Sequence, residues 1–162
     1  MRTGPLVLRT SGLWLALALS VLAVGLAACG EDPLQPVISQ ADRAKDARAL
    51  SSVQQALVTA ALVRAETAGT YGSGTNDLIA RMRSRDPTKQ YTVGASTGPD
   101  VIQVVGGGSA PLMLVAYSKA PAYLALWQEG GAGTLYYRGE QPPQYTRQAP
   151  SGAGWSQTPP SL

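Results

Sequence analysis

The sequence predicts an α+β domain in which one long N-terminal helix packs on an antiparallel sheet of four to five short strands. Three observations predict it. Residues 39–68 contain neither Gly nor Pro, so an uninterrupted helix fits there. Five short runs rich in Val, Leu, Ile and Tyr follow residue 88, each bounded by turn residues. The segments between those runs are too short to hold a crossover helix, which favours hairpins over parallel pairing.

The first 28 residues read as a targeting segment and stand outside the fold. Arg2 and Arg9 give a positive start, and Leu13 to Leu26 is a charge-free run rich in Leu, Ala and Val. A spanning helix needs about 20 apolar residues, so this run is short for a permanent anchor. The run ends in Leu26-Ala27-Ala28-Cys29. An aliphatic residue, two small residues and a cysteine directly after an apolar segment resemble the lipobox of bacterial lipoproteins. That resemblance covers residues 1 to 29. It implies that the Cys29 thiol receives a diacylglyceryl group, that cleavage falls between Ala28 and Cys29, and that fatty acids such as palmitate hold the new N-terminus in a membrane. Two or more acyl chains anchor stably where one binds only marginally. The expected location is therefore outside the cytoplasm, on the outer face of the cell membrane or of another envelope membrane.

Charge and cysteine content narrow the partners. The chain carries 13 Lys+Arg against 10 Asp+Glu, a net +3. Removing residues 1–28 takes away Arg2 and Arg9 and leaves +1. A near-neutral mature chain offers no electrostatic footprint for nucleic acid. Cys29 is the only cysteine, so the chain folds without an internal disulfide.

Residues 29–38 hold Glu31, Asp32, Pro33 and Pro36 and read as a tether, since two close prolines work against a helix. Ser39-Gln40-Ala41-Asp42 has the form of a capping box, with a hydroxyl at the N-cap and a carboxylate three residues on. The helix from there to Ala68, closed by Gly69, is about 43 Å long at 1.5 Å per residue. Its first half carries Asp42, Arg43, Lys45, Asp46 and Arg48; Leu50 to Val63 carries no charge. Leu50, Val53, Leu57 and Ala61 follow helical spacing, and Val58, Leu62 and Val63 widen the apolar face. That half should be covered on more than one side.

Thr70 to Gly74 is a turn-rich link. Thr75 or Asn76 can cap a short helix running through Leu78, Ile79 and Met82 to about Arg85, ended by Asp86-Pro87. Arg81, Arg83 and Arg85 read as a solvated face rather than a phosphate site. The strands are Lys89 to Ala95, Asp100 to Val105, Leu112 to Ser118, Ala122 to Gln128 and Thr134 to Arg138. The domain thus covers residues 39–140. Residues 141–162, rich in Pro, Gln, Ser and Gly, read as a disordered tail.

The order of these elements resembles the globular part of type IV pilins and type II secretion pseudopilins. The residues carrying the likeness are Lys45-Asp46-Ala47-Arg48-Ala49-Leu50 through Gln54-Gln55-Ala56-Leu57, then Ala68-Gly69-Thr70-Tyr71, then Leu78. Ala122-Tyr123-Leu124-Ala125-Leu126 with Leu135-Tyr136-Tyr137 is similar to the closing sheet. Pilins carry a Phe at their cleavage site and a Glu early in an apolar helix; this chain has no Phe and a lipobox in that place. The resemblance implies a pilin-like scaffold tied to the membrane by lipid, with envelope, pilus or secretion proteins as partners.

Catalytic equipment is sparse. There is no His, the commonest general base and metal ligand. With Cys29 acylated no thiol remains for catalysis or zinc. Ser118 and Lys119 are neighbours and would point to opposite faces of a strand. Asn76 and Asp77 could ligate calcium, but capping explains them more simply. Gly106-Gly107-Gly108 lacks the Gly-Lys-Ser/Thr sequel of a phosphate loop. The expectation is a non-enzymatic scaffold or interaction protein with no cofactor and no metal. The alternative is a ligand-binding or carrier lipoprotein, which requires a concave apolar pocket.

Overall fold

The structure, a computed structural model, describes residues 34–120, 122–130 and 133–162. Ala28, Cys29 and the leader lie outside the described residues. Residues 40–162 form one compact unit, and the architecture below is that of this unit. Helix α1 spans Leu34–Glu66 and helix α2 Thr75–Arg85. The strands are β1 Gln90–Thr92, β2 Val101–Gly106, β3 Leu112–Tyr117, β4 Tyr123–Gln128, β5 Thr134–Gly139 and β6 Trp155–Ser156. They form one six-stranded sheet in sequence order, with the long helix packed on one face. The α+β class holds.

Helix α1 begins at Leu34 rather than at the Ser39 capping box, so the tether expected over residues 29–38 is helical from Leu34 onward. Pro36 is the third residue of the helix. In the first turn its missing N–H is one that has no intrahelical partner in any case.

The face α1 turns inward also differs from expectation. Ala49, Leu50, Val53, Ala56, Ala60 and Val63 are buried against the sheet and Leu57 is partly buried. Ala61, Val58 and Leu62 face outward instead. Alanine at the contact lets the helix axis approach the sheet closely, and the larger side chains across the interface come from Ile102, Leu114, Leu124 and Leu126.

β2 through β5 pair antiparallel as expected, with Leu114 opposite Leu126 and Leu126 opposite Tyr136. β1 departs from this: it pairs parallel with β2, Tyr91 opposite Ile102. A three-residue strand rises only about 10 Å, so the eight residues between Thr92 and Val101 are long enough to return the chain without a helix.

The sheet's second face is covered too. Met113, Val115, Ala125 and Trp127 form a cluster there with Tyr123, Leu135, Tyr137, Tyr145 and Trp155 around it. This corrects the disordered tail expected over residues 141–162. Two aromatic anchors, Tyr145 and Trp155, bury apolar area on a sheet face that would otherwise be wet. Backbone pairing of β6 with β5 and the bond from Trp127 Nε1 to Thr146 O (3.0 Å) fix the tail's path.

Gly106 is held at φ +90, and a Cβ there would collide with Pro111 O. The link before α2 docks beside it, with Tyr71 and Gly108 exchanging backbone bonds and Thr75 Oγ1 donating to Gly106 O at 2.5 Å. The glycine run is therefore a close-approach junction.

Candidate functional site

Three features among the described residues bear on function: a polar cluster behind α1, a buried carboxylate of the same helix paired with a half-exposed arginine, and the outward face of the helix itself.

The polar cluster brings together residues far apart in sequence. Lys89 Nζ donates to Ser52 Oγ (2.9 Å) and to Asp100 Oδ1 (2.7 Å), and Ser52 Oγ donates to the same carboxylate oxygen (3.1 Å). Arg48 pairs with the other oxygen, Oδ2. The Lys89 hydrogen bond holds the Asp100 carboxyl below the usual carboxylate range; partial burial pulls the other way, and Arg48 and Ser52 add to the lowering. A hydroxyl beside an amine is the geometry of a Ser–Lys nucleophile. Here Ser52 is 1 % exposed, and its proton is directed at a carboxylate already ion-paired with that amine. The cluster ties α1 to the residues that immediately precede β1 and β2.

Beside it, Tyr91 is fully buried and its hydroxyl donates to Asp86 Oδ2 at 3.3 Å. Burial pushes its pKa up to about 12, with the Asp86 carboxylate adding to the rise. Less than two turns before Ser52 on α1, Asp46, 2 % exposed, accepts two bonds from Arg138. Tyr91 also contributes to the wall of the open groove beside β1.

The residues singled out from sequence for possible chemistry have structural partners. Ser118 is buried and donates to Ala120 O at 2.6 Å, in a turn where Lys119 takes φ +64. Asp77 accepts from Ser73 N (2.8 Å) and from Arg81 Nε (2.9 Å). The Ser73 amide is the main reason its carboxyl sits below the ordinary range. Helix α2 starts after Gly74 with no side-chain cap, so neither Thr75 nor Asn76 caps it as expected: the Thr75 hydroxyl is taken by Gly106 O, and Asp77 holds the Ser73 amide instead. Among the described residues no group of three or more His, Cys, Asp or Glu is placed to hold a metal ion. No helix among them is long and apolar enough to cross a membrane.

The surface grooves are open. One of about 690 Å³ runs beside β1, lined by Arg83, Pro87, Lys89, Gln90, Thr92 and Val101. Its lining mixes cations, amide, hydroxyl and apolar groups.

The outward face of α1 is different in kind. Val58 is 63 % exposed and Leu62 52 %. They stand in a row with Ala44, Ala47, Ser51, Gln54, Ala61 and Ala65, all exposed. Helical geometry places these eight within about 60° of one line. From Ala44 to Ala65 no charged residue lies within that arc; exposed Arg43, one position before it, does. Sequence periodicity found the apolar residues of this helix but assigned both sides of it to a core. Comparison with protein-family models, with curated proteins and with solved structures returns no match to this chain.

Proposed function

We propose that this chain is a lipid-anchored protein of the cell envelope that works by protein contact, as a pilin-like scaffold, with the outward face of α1 as its contact surface. One observation carries the reading: two large aliphatic side chains, Val58 and Leu62, stand more than half exposed on an uncharged helical row. Exposed apolar groups grouped on one face mark interaction sites, whereas single ones do not.

The leader and Leu26-Ala27-Ala28-Cys29 support attachment through acyl chains on Cys29. The order of long helix, Gly-Thr-Tyr link, short helix and antiparallel strands supports the pilin-like comparison. A carrier lipoprotein needs a concave apolar pocket, and the open, mixed lining of the groove beside β1 favours the contact reading over it.

The test has two arms in living cells. Metabolic labelling with a clickable fatty acid should mark the wild type and leave Cys29→Ala unmarked and released from membranes. A photo-reactive side chain at Val58 should give protein adducts, while the same group at Ser84, exposed on α2, should not. Equal lipid label in both chains removes the anchor; an absence of protein adducts at Val58 removes the contact surface.

A further inference from the structure

We infer that the partner on the outward face of α1 is a second copy of this chain, its helix packed antiparallel on the first; the inference rests on that face being a contact surface. The row is divided by side-chain size. Ala44, Ala47 and Ser51 occupy the half nearer the helix start, and Val58, Ala61, Leu62 and Ala65 the half nearer its end, so both large side chains fall in that second half. Gln54 and Gln55, both exposed, sit at the division.

A two-fold axis through that midpoint sets each large side chain over a small one of the other copy. Val58 then faces Ser51, Leu62 faces Ala47 and Ala65 faces Ala44. Alternating large and small groups across a seam keep two helix axes at one spacing and leave no void. A parallel pair would put Leu62 on Leu62 and Ala47 on Ala47, too wide at one end and empty at the other. Isologous contacts of this kind are self-complementary by construction.

Gln54, on the row, falls beside the axis, where its amide and that of the second copy can bond reciprocally; a polar residue at such a point fixes register. Between Ala44 and Ala65 no charge lies on the row to oppose the approach. From Ala44 to Ala65 the seam is about 31 Å long and one helix wide, at the low end of interface size. The pairing is accordingly weak and concentration-dependent, as suits chains gathered on a membrane surface.

The full chain is tested where it resides, in the membrane, with the photo-reactive group at Val58 and adducts mapped by mass spectrometry. The expected product is a homodimer joined to residues 47–54 of the second copy. Leu62→Glu should lower its yield by about tenfold or more, from burying a charge in place of a leucine. Ala47→Leu and Leu62→Ala should each weaken pairing, and the two together should restore it, because only an antiparallel seam brings those positions together. All these positions are exposed in the single chain, so unchanged thermal melting of each variant shows that folding is intact. Adducts mapped to residues 58–65, or a double variant no better than either single one, overturn the antiparallel pair. Adducts to other proteins alone overturn self-pairing and leave the contact surface standing. Adducts to lipid alone, or none, overturn both.

Discussion

Arg138 on β5 grips Asp46 on α1 with two hydrogen bonds to one carboxylate oxygen, Nε at 3.1 Å and Nη2 at 2.6 Å. The partners are 92 positions apart in sequence. The acid is buried and the arginine half exposed, so the two ends of this link are not equivalent. The second oxygen, Oδ1, has no hydrogen-bond partner among the described residues, which leaves the carboxylate dependent on Arg138.

Arg138→Ala should therefore cost about 2–4 kcal/mol, the penalty of a buried charge left alone. Asp46→Ala should cost less, because Arg138 then turns to water. The double variant should resemble Asp46→Ala rather than the sum of the two. Urea unfolding of the four chains gives the coupling directly.

Asp100 ties Lys89, Arg48 and Ser52 to one carboxylate. Its folded pKa lies below its unfolded value, so the unfolded chain binds the proton more tightly. The stability this contributes is present above about pH 4, the unfolded carboxylate value, and is lost as pH falls through the folded value. Asp100→Asn should lower the urea midpoint at pH 7. The gap from wild type should narrow steadily as the titration descends below pH 4. A gap independent of pH would show that the amide loses only packing or hydrogen-bond geometry.

How much of this was legible in the sequence depended on whether one residue or a distant pair carried the information. Helix α1 could be read because nothing between Ser39 and Ala68 breaks a helix, and β2 to β5 because Gly and Pro bracket each apolar run. The inward face of α1 could not be read from periodicity. Val58 and Leu62 are as apolar as Leu50 and Val53, while the true contact uses Ala49, Ala56 and Ala60, chosen by helix-to-sheet distance rather than by hydrophobicity. The polar cluster was hidden for another reason. Ser52, Lys89 and Asp100 meet only through tertiary folding, and each alone is an ordinary surface residue. The tail misled because composition averages over 22 residues, whereas its order rests on two of them.

Those two anchors make a sharp prediction. Tyr145 and Trp155 lie against the outer-face cluster of Met113, Val115, Ala125 and Trp127, with Tyr145 also donating to Pro111 O at 2.9 Å and the Trp155 ring tilted against Tyr137 at a centroid distance of 5.2 Å. Deleting residues 141–162 should bare that cluster. The shortened chain should bind an apolar dye strongly and lose cooperativity in thermal unfolding. Trp155→Ala alone should cost about 1–3 kcal/mol. A truncated chain that melts like the full one and ignores the dye would mean the tail contributes nothing to the fold.

Tyr91 provides the last prediction, at the opposite end of the pH scale. Its ring is fully buried between α1 and the first strand, and its hydroxyl points at the Asp86 carboxylate. Both burial and that negative charge oppose ionisation, which raises the folded pKa to about 12 from about 10 in the unfolded chain. Between those values the unfolded chain releases a proton that the folded chain keeps, so stability falls as pH rises through this window and is unaffected below it. Tyr71 and Tyr145 are also raised by burial and act with the same sign, so the bare alkaline transition does not isolate Tyr91. The difference between wild type and Tyr91→Phe does. At pH 8 the variant should be destabilised by about 0.5–1.5 kcal/mol through loss of one hydrogen bond. Above pH 10 the difference should shrink and then reverse, because phenylalanine has no proton to lose. Tyrosinate absorbance followed in parallel should show one phenol fewer ionising together with unfolding. A constant difference across that range would mean Tyr91 titrates as freely in the folded chain as in the unfolded one.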